Sequence, residues 1–129
     1  MARRSEPPPS LHELEAEVMD EIWSRGEASV RDLMEALNAR RRKARAYTTY
    51  LTVCVRLETK RLAERRREGK TDHYRPALSR EEYMRRRAEA DTDAMIEQYG
   101  DVALSHFARR VADLDPKRRR ELERLARDG

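Results

Sequence analysis

Residues 46–57, AYTTYLTVCVRL, constrain the fold most, because on a helix they separate into two kinds of surface. At about 100° per residue, one side of that helix gathers the large residues, which are Tyr47, Tyr50, Leu51, Cys54 and Leu57. The other side carries short hydroxyl side chains and one arginine, which are Thr48, Thr49, Thr52 and Arg56. Thr59 and Lys60 continue this side toward the end of the helix. Hydroxyl and methyl groups of this size can enter a DNA major groove and contact base edges. A solvated helix that contains threonine explains the segment equally well, so the neighbouring residues decide between the two interpretations.

The distribution of charge favours the nucleic-acid interpretation. Residues 6–38 hold nine acidic and two basic residues, whereas residues 40–75 hold thirteen basic and four acidic ones, although the net charge of the whole chain is only +4. Residues 77–129 balance at twelve against twelve. The basic block coincides with the threonine-faced helix and the segment after it, which is typical of a nucleic-acid-binding surface rather than of a merely solvated one.

Length and composition restrict the chain to one domain, or to a small domain with an appendage, with a modest core. Charged residues make up 42% of the 129 residues, with one Trp and one Phe, so some apolar stripes need a partner chain to cover them. No apolar run approaches the roughly 20 residues that span a bilayer, and the start MARRSEPPPS lacks the apolar core of a secretion signal. A single cysteine cannot form an internal disulfide, and we expect a cytoplasmic protein that does not bind membranes directly.

Three closely spaced helices are predicted before residue 62. The pattern Ser-x-x-Glu from Ser10 starts a first helix that ends before Gly26, and the pattern Ser-x-x-Asp from Ser29 starts a second. After a basic loop, a third helix runs from about Tyr47 to Arg61. Residues 1–9, which include three consecutive prolines, are expected to form a poorly ordered leader.

Residues 62–78 predict a β-hairpin. The segments Leu62–Arg67 and His73–Leu78 flank EGKTD, in which Gly69 can adopt the positive φ that a tight turn requires. Three helices followed by a basic hairpin form a winged helix-turn-helix. We therefore expect a mainly α fold with a small β-hairpin, in which residues 10–78 form a winged-helix DNA-binding domain.

Residues 79–129 predict three further helices, which contain too few large apolar side chains to form a second core. They begin at the cap Ser79, at Asp101 after Gly100, and at Asp115-Pro116. We assign residues 79–129 to a helical dimerisation region, in which these helices pack against their copies in a two-fold homodimer. The alternative is a loosely attached helical tail on a monomer. The residues expected at the dimer interface are Tyr83, Met95, Ile96, Tyr99, Val102, Leu104, Phe107, Val111, Leu122 and Leu125.

The candidate DNA-binding residues divide by the part of the duplex that they would contact. The third helix would place four side chains at base edges, which are Thr48, Thr49, Thr52 and Arg56. Cations beside that face would bind phosphates without reading sequence, and these are Lys43, Arg45 and Lys60. The wing would lie beside the backbone or in the minor groove through Arg66, Arg67, Lys70 and His73.

Four segments carry a resemblance to a known family. LHELEAEVMDEIW, ASVRDLMEALN, AYTTYLTVCVRLETKRL and EGKTDHYRPALSREEY together resemble the BlaI/MecI penicillinase-repressor family, which includes the copper-responsive CopY branch. The match runs from about Leu11 to Tyr83. The resemblance implies an N-terminal winged helix, a helical dimerisation region and repression of transcription at a palindromic operator. In the best-known members a membrane-bound sensor protease inactivates the repressor, so the resemblance also raises such a protease as a partner.

Several positions depart from the pattern of that family. At the positions of Tyr50, Cys54 and Arg61, members of the family commonly have a small aliphatic residue, a leucine and a glycine, respectively. We therefore expect the packing behind the third helix and the corner before the wing to differ from those of other members. The C-terminal cysteine cluster of the copper branch is absent. The well-studied repressors are cut at an Asn-Phe bond, whereas Phe107 follows His106 here, which argues against control by that protease.

The remaining aromatic residues and the cysteine have structural interpretations. Trp23, Tyr47 and Tyr50 are predicted to pack inward rather than to stack on bases. Cys54 is predicted to be a small buried hydrophobe, with a redox switch as the alternative.

No motif points to catalysis or to a cofactor. The chain has no phosphate-binding glycine loop, no nucleophile-elbow motif and no zinc-protease motif, and its histidines and cysteine lack metal-ligand spacing. We therefore expect neither an enzyme nor a metal or cofactor. Two alternatives to DNA binding stay open, namely a winged helix that docks a protein and one that binds RNA. The second would more often expose aromatic side chains that stack on unpaired bases.

Overall fold

The computed structural model describes residues 6–129. In chain order its elements are α1 (Glu13–Arg25), β1 (Ala28–Ser29), α2 (Val30–Asn38), α3 (Tyr47–Thr59), β2 (Ala63–Glu68), β3 (Thr71–Pro76), α4 (Arg80–Tyr99), α5 (Asp101–Ala112) and α6 (Pro116–Asp128). The chain divides into two compact units, of which the first ends at Ala88 and the second comprises Glu89–Gly129. The sequence-based boundary between residues 78 and 79 lies ten residues before the boundary between the compact units, and it stays a prediction. The predicted fold class, mainly helical with a winged helix-turn-helix, is confirmed.

The predicted start of α1 is wrong by two residues. The helix begins at Glu13 with His12 as its N-cap, not with Ser10. The backbone N–H of His12 donates to Oε1 of Glu15 at 2.9 Å, so the carboxylate of Glu15, rather than that of Glu13, closes the first turn. The predicted end before Gly26 is confirmed.

The other predicted caps are confirmed. The Ser29 hydroxyl accepts from the N–H of Asp32 at 3.1 Å, and the Asp32 carboxylate accepts from the N–H of Ser29 at 3.0 Å. Ser79 and Asp115 each accept a backbone N–H three residues later. These side chains satisfy amide groups that have no partner inside a helix, which is why short local patterns located the helix starts.

The sheet contains one strand that the sequence patterns did not predict. Its order is β1-β3-β2 and both pairings are antiparallel. β2 and β3 form the predicted hairpin, and Gly69 in its turn has a φ of 62°. β1 pairs Ala28 with Tyr74 and Ser29 with His73. A strand of two residues has no recognisable alternation, and its pairing depends on a partner more than forty residues away.

The core of the first unit lies between α1, α2, α3 and the sheet. Trp23 is partly buried against this core, and its indole N–H donates to the carbonyl of Leu78 at 2.8 Å. The largest fully buried side chains are Tyr50, Tyr74, Met19, Ile22, Leu33, Leu57, Leu62, Val18 and Cys54. α3 therefore presents one face to the core and leaves the opposite face to solvent.

Tyr83 packs inside the first unit. Its side chain is 7% exposed, and its ring centroid lies 5.5 Å from that of Trp23. Its hydroxyl donates to the carbonyl of Pro9 at 3.1 Å. The sequence assigned Tyr83 to the dimer interface because it lies on the same helix as later interface candidates. The first turns of that helix instead pack on α1, so Tyr83 is removed from the proposed dimer surface.

Residues 6–9, the described part of the predicted leader, contact α4. Pro8 is buried, and its carbonyl accepts a hydrogen bond from Nη1 of Arg87 at 2.9 Å. The Glu6 carbonyl accepts from Arg86. An extended proline-rich segment makes no internal hydrogen bonds, so its carbonyls are free to bind side chains of α4. The rest of the predicted leader, residues 1–5, lies outside the described residues.

The corner between α3 and β2 holds Arg61 in a left-handed conformation with a φ of 62°. Its N–H donates to the carbonyl of Glu58 at 3.0 Å, and the N–H of Leu62 donates to the carbonyl of Leu57 at 2.9 Å. This pair of bonds is the Schellman ending of a helix, which places the residue after the C-cap in the left-handed region. Glycine suits that position and arginine does not, because its Cβ crowds the backbone there.

Replacing Arg61 by glycine is therefore expected to raise the free energy of unfolding by about 1 kcal/mol. Urea denaturation followed by circular dichroism measures the change. The matched control is Arg61→Ala, which removes the same side-chain charge but keeps a Cβ and hence the strain. An equal gain in both variants would contradict the backbone explanation.

The second unit, residues 89–129, buries few apolar side chains. Ala103 is buried, and Ile96 and Leu122 are partly buried. Most of its large apolar residues are exposed to solvent in the single chain, namely Met95, Tyr99, Val102, Leu104, Phe107, Val111 and Leu125.

Candidate nucleic-acid interface

The solvent-facing side of α3 carries three of the four residues that were predicted to read bases. Thr48, Thr52 and Arg56 are exposed, and Thr49 is partly buried. Val55 lies on the same side and is 47% exposed. We call the exposed residues Thr48, Thr52, Val55, Arg56 and Thr59 the reading face.

Two threonine hydroxyls of the reading face are turned back onto the helix. The hydroxyl of Thr52 donates to the carbonyl of Thr48 at 2.9 Å, and that of Thr59 donates to the carbonyl of Val55 at 3.0 Å. Each hydroxyl proton is therefore used inside α3, whereas the oxygen keeps a lone pair that can accept a hydrogen bond. These threonines present acceptors and methyl groups outward.

Arg56 is the donor of the reading face. Within residues 6–129 it forms no ion pair, and the same holds for Lys43 in the loop before α3 and for Lys70 at the tip of the wing. All three side chains belong to exposed residues. Cations without a partner in the protein remain available for guanine or phosphate groups.

Lys60 lies in a different environment from the one predicted. Its ammonium contacts Oε1 of the buried Glu15 at 2.7 Å and the carbonyl of Ser10 at 3.4 Å. Burial of the Glu15 carboxyl opposes its ionisation, but hydrogen bonds from Lys60 and from the His12 backbone outweigh that effect, so the pKa of Glu15 is lowered. The charge of Lys60 holds α3 to α1, and we remove Lys60 from the predicted phosphate contacts.

Some wing residues that were predicted to contact DNA lie beside carboxylates of the same chain. Arg66 binds Glu27 through two hydrogen bonds, at 2.5 and 3.1 Å, and contacts Glu68 at 3.2 Å. These carboxylates raise the pKa of Arg66, with the hydrogen bond to Glu27 as the main cause. His73 is partly buried, and its Nε2 lies 3.8 Å from Glu68. Arg67 lies 3.7 Å from a carboxylate oxygen of Asp72, and its Nε donates to the carbonyl of Gly69 at 3.3 Å. Of the predicted wing residues, Lys70 is therefore the most available to a phosphate, since it is exposed and forms no ion pair within residues 6–129.

Asn38 organises the basic loop between α2 and α3. Its amide N–H donates to the carbonyl of Arg45 at 3.0 Å, and its carbonyl oxygen accepts from the N–H of Arg45 at 3.0 Å. The same oxygen accepts from the hydroxyl of Tyr50 at 2.7 Å. The guanidinium of Arg45 itself lies 3.7 Å from Glu17. Sequence reasoning missed Asn38, although a polar residue that ends a helix before a loop is a usual site for such bonds.

The predicted inward position of Tyr47 is wrong. Tyr47 is 45% exposed, whereas Tyr50 is fully buried as predicted. Both residues share the core side of α3 in helical phase, but Tyr47 is the first residue of the helix and extends beyond the elements that cover Tyr50. It lines an open cleft with Leu51, Lys70 and Thr71, between the start of α3 and the tip of the wing.

Cys54 is fully buried in the core, as predicted. Burial raises the pKa of its thiol to about 12. Because the thiolate is the reactive form, this position disfavours the redox switch that stayed open at the level of sequence.

Acid is expected to destabilise the first unit through its paired carboxylates. The hydrogen bond from Arg25 lowers the pKa of Glu21 against the effect of burial, with help from Arg40. The pKa of Glu15 is lowered as well. A carboxyl with a lowered pKa in the folded state contributes stability above its unfolded value of 4.5, and that stability is lost as the pH falls through the folded pKa.

The free energy of unfolding should therefore change little between pH 7 and about pH 5 and fall below pH 4.5. Urea denaturation across this range measures it. Glu21→Gln should flatten the acid limb of the curve. Glu13→Gln is the control, because Glu13 is exposed on the same helix and forms no ion pair within the described residues. Equal flattening by both variants would contradict the assignment to Glu21.

Relatives of known sequence match nearly the whole chain. The sequence model of the penicillinase repressor family matches residues 11–128. The transcriptional regulator BlaI of Mycobacterium tuberculosis, from strains CDC 1551 / Oshkosh and ATCC 25618 / H37Rv, is 41% identical over 119 residues, which are 89% of this chain and 84% of that protein. The chain belongs to the penicillinase repressor family.

A solved structure is also similar to this family member. It is the solution structure of the monomeric form of Bacillus licheniformis BlaI in complex with the blaP half-operator, at 24% sequence identity and a TM-score of 0.49. The match covers 59% of this chain and 90% of that one.

Membership of a repressor family confirms the prediction that the chain is not an enzyme. In residues 6–129 no group of three or more His, Cys, Asp or Glu side chains is placed to hold a metal ion. Over the same residues, none of the helices is both long and apolar enough to cross a membrane.

Two departures from the family pattern have structural consequences in this family member. Tyr50 brings a hydroxyl that reaches Asn38, which a small aliphatic residue does not have. Arg61 occupies a left-handed position that suits glycine. Both residues lie directly beside the loop or corner that flanks α3, so they alter its surroundings and leave the reading face itself unchanged.

Proposed function

We propose that this protein represses transcription by binding double-stranded operator DNA as a homodimer, with α3 lying in the major groove of each half-site. The observation that carries the proposal is the reading face, where short acceptors, methyl groups and one unpaired arginine replace the long charged side chains of an ordinary surface helix. Membership of the penicillinase repressor family supports it independently.

Base readout would centre on Arg56. Its guanidinium can bind the O6 and N7 atoms of a guanine, a contact worth about 1–3 kcal/mol of discrimination. Thr48, Thr49 and Thr52 would contact neighbouring base edges. Lys43 and Lys70 would neutralise phosphates. The other predicted cations would act there only after leaving acidic partners, which makes them weaker candidates, and these are Arg45, Arg66, Arg67 and His73.

The dimer would form through the second unit. Val102 is 74% exposed, and Phe107 and Val111 lie five and nine residues further along the same helix at exposed positions. Apolar side chains that are exposed together in one unit mark an interface, and residues 89–129 bury few apolar side chains in the single chain. A second copy of the chain is the proposed partner. The proposed surface consists of Met95, Ile96, Tyr99, Val102, Leu104, Phe107, Val111, Leu122 and Leu125.

The two-fold symmetry of the proposed dimer determines the form of its operator and how repression would be released. A symmetric dimer would bind a palindrome whose half-sites are about one helical turn apart, roughly 10 base pairs. Bound there, it would occlude RNA polymerase without any chemical step. A signal that weakens dimerisation would release the DNA, because one winged helix makes only half of the contacts. The cytoplasm is the proposed location, since the target is DNA.

The test is binding of the purified chain to a duplex selected from a random pool, against a scrambled duplex, by fluorescence anisotropy at several salt concentrations. If the dimer neutralises roughly eight phosphates, log affinity should fall with log salt at a slope of about −7. Arg56→Ala should weaken binding to the selected duplex by about 5- to 150-fold per half-site and should weaken binding to the scrambled duplex much less. The control is Arg118→Ala, which removes an arginine that is paired with Glu121 at 3.1 Å in α6.

A protein-docking winged helix is the second candidate, favoured by the acidic α1 and α2. Two acidic residues of α1 already bind cations of the same chain, however, because Glu15 pairs with Lys60 and Glu21 with Arg40. Glu27, which follows α1, pairs with Arg66. Absence of salt-sensitive binding to any duplex would favour this candidate over the repressor.

A further inference from the structure

Val55 is the one large apolar residue on the reading face. It is 47% exposed, whereas its neighbours Val53 and Cys54 are buried in the core. A β-branched residue on the exposed face of a helix lowers the stability of the helix relative to alanine. The folded chain therefore gains nothing evident from Val55, which suggests that its isopropyl group acts outside the chain.

The groups beside Val55 define what it could contact. Thr52 and Thr59 have donated their hydroxyl protons to α3 itself, so the face around Val55 offers acceptor oxygens and methyl groups. Arg56 is the hydrogen-bond donor next to it. Lys43 in the flanking loop and Lys70 at the wing tip, which form no ion pair within residues 6–129, give this region a charge complementary to DNA.

We propose that Val55 is a specificity-determining residue whose isopropyl group contacts the 5-methyl group of a thymine in each half-site. This proposal rests on the proposed function and deepens it. In the major groove the thymine methyl group is the one apolar feature that distinguishes a base pair, and an exposed isopropyl group is its natural partner. Arg56 would read a guanine, Thr52 would accept from an adenine or cytosine amino group, and Val55 would read thymine.

The test removes one methyl group at a time. In a duplex selected by the full-length chain, each thymine is replaced in turn by deoxyuridine, which keeps the hydrogen-bonding groups and lacks the 5-methyl. Affinities are measured for the unaltered protein and for Val55→Ala. Burial of one methyl group predicts that a single symmetric pair of positions weakens binding by about fourfold per half-site, and that Val55→Ala loses this sensitivity at the same positions.

Val55→Ala is expected to fold, because the side chain is exposed and alanine is the better helix former; circular dichroism checks this. The proposal is overturned if no deoxyuridine position weakens binding, or if Val55→Ala keeps the full sensitivity. Either result would leave sequence-selective binding intact, and hence the repressor function. Failure of the repressor function would appear earlier, as equal affinity for selected and scrambled duplexes.

Discussion

Replacing Phe107 by aspartate is expected to turn the dimer into a monomer and to weaken operator binding by about 10²–10⁴-fold. Phe107 lies in the middle of the exposed apolar residues of α5, and a carboxylate there would be buried without a partner in the proposed interface. Loss of the dimer removes the linkage between two winged helices, which accounts for the size of the effect on DNA binding. Sedimentation equilibrium measures the first change and fluorescence anisotropy the second.

Met84→Asp is the matched control for this substitution. Met84 is also an exposed apolar residue of a helix, but it lies in the first unit and outside the proposed dimer surface. It should leave both the mass of the protein and its affinity for DNA unchanged. A dimeric Phe107→Asp protein, or loss of the dimer in Met84→Asp, would contradict the proposed interface.

Replacing Tyr50 by alanine is expected to lower the free energy of unfolding by about 3–5 kcal/mol. The side chain is fully buried behind the reading face, and its hydroxyl donates to Asn38 at 2.7 Å. The substitution removes an aromatic ring from the core and also frees the basic loop that Asn38 holds through Arg45. Urea denaturation of the full chain measures the loss.

Two tyrosine variants separate the causes of that loss. Tyr50→Phe keeps the ring and removes only the bond to Asn38, so it should cost about 1 kcal/mol. Tyr47→Ala changes a tyrosine one turn earlier in the same helix that is exposed, and it should change stability by less than about 0.5 kcal/mol. Similar losses for Tyr47→Ala and Tyr50→Ala would contradict the difference in burial between the two residues.

Features that depend on local sequence could be predicted. Ser29 with Asp32, Ser79, and Asp115 located helix starts because a cap is made within four residues. Gly69 located the turn of the wing because positive φ favours glycine. The helical phase of α3 separated the core side from the solvent side because both follow from one fixed rotation per residue.

Features that depend on distant partners could not be predicted in this way. Lys60 binds Glu15, which lies 45 residues earlier, and the leader binds Arg87 of α4. Neither contact leaves a local pattern. Tyr47 was misplaced because helical phase gives direction but not where the covering elements end. Val55, in contrast, could have been found, since the same helical phase places it beside Thr48 and Thr52.

The stoichiometry of the protein on a selected duplex tests the central claim most directly. Analytical ultracentrifugation of the full chain with the selected and the scrambled duplex gives the mass of each complex. We expect two protomers on the selected duplex, on half-sites about 10 base pairs apart, and no stable complex of that mass on the scrambled one. A single protomer on the selected duplex, or complexes of equal mass and stability on both, would contradict this claim.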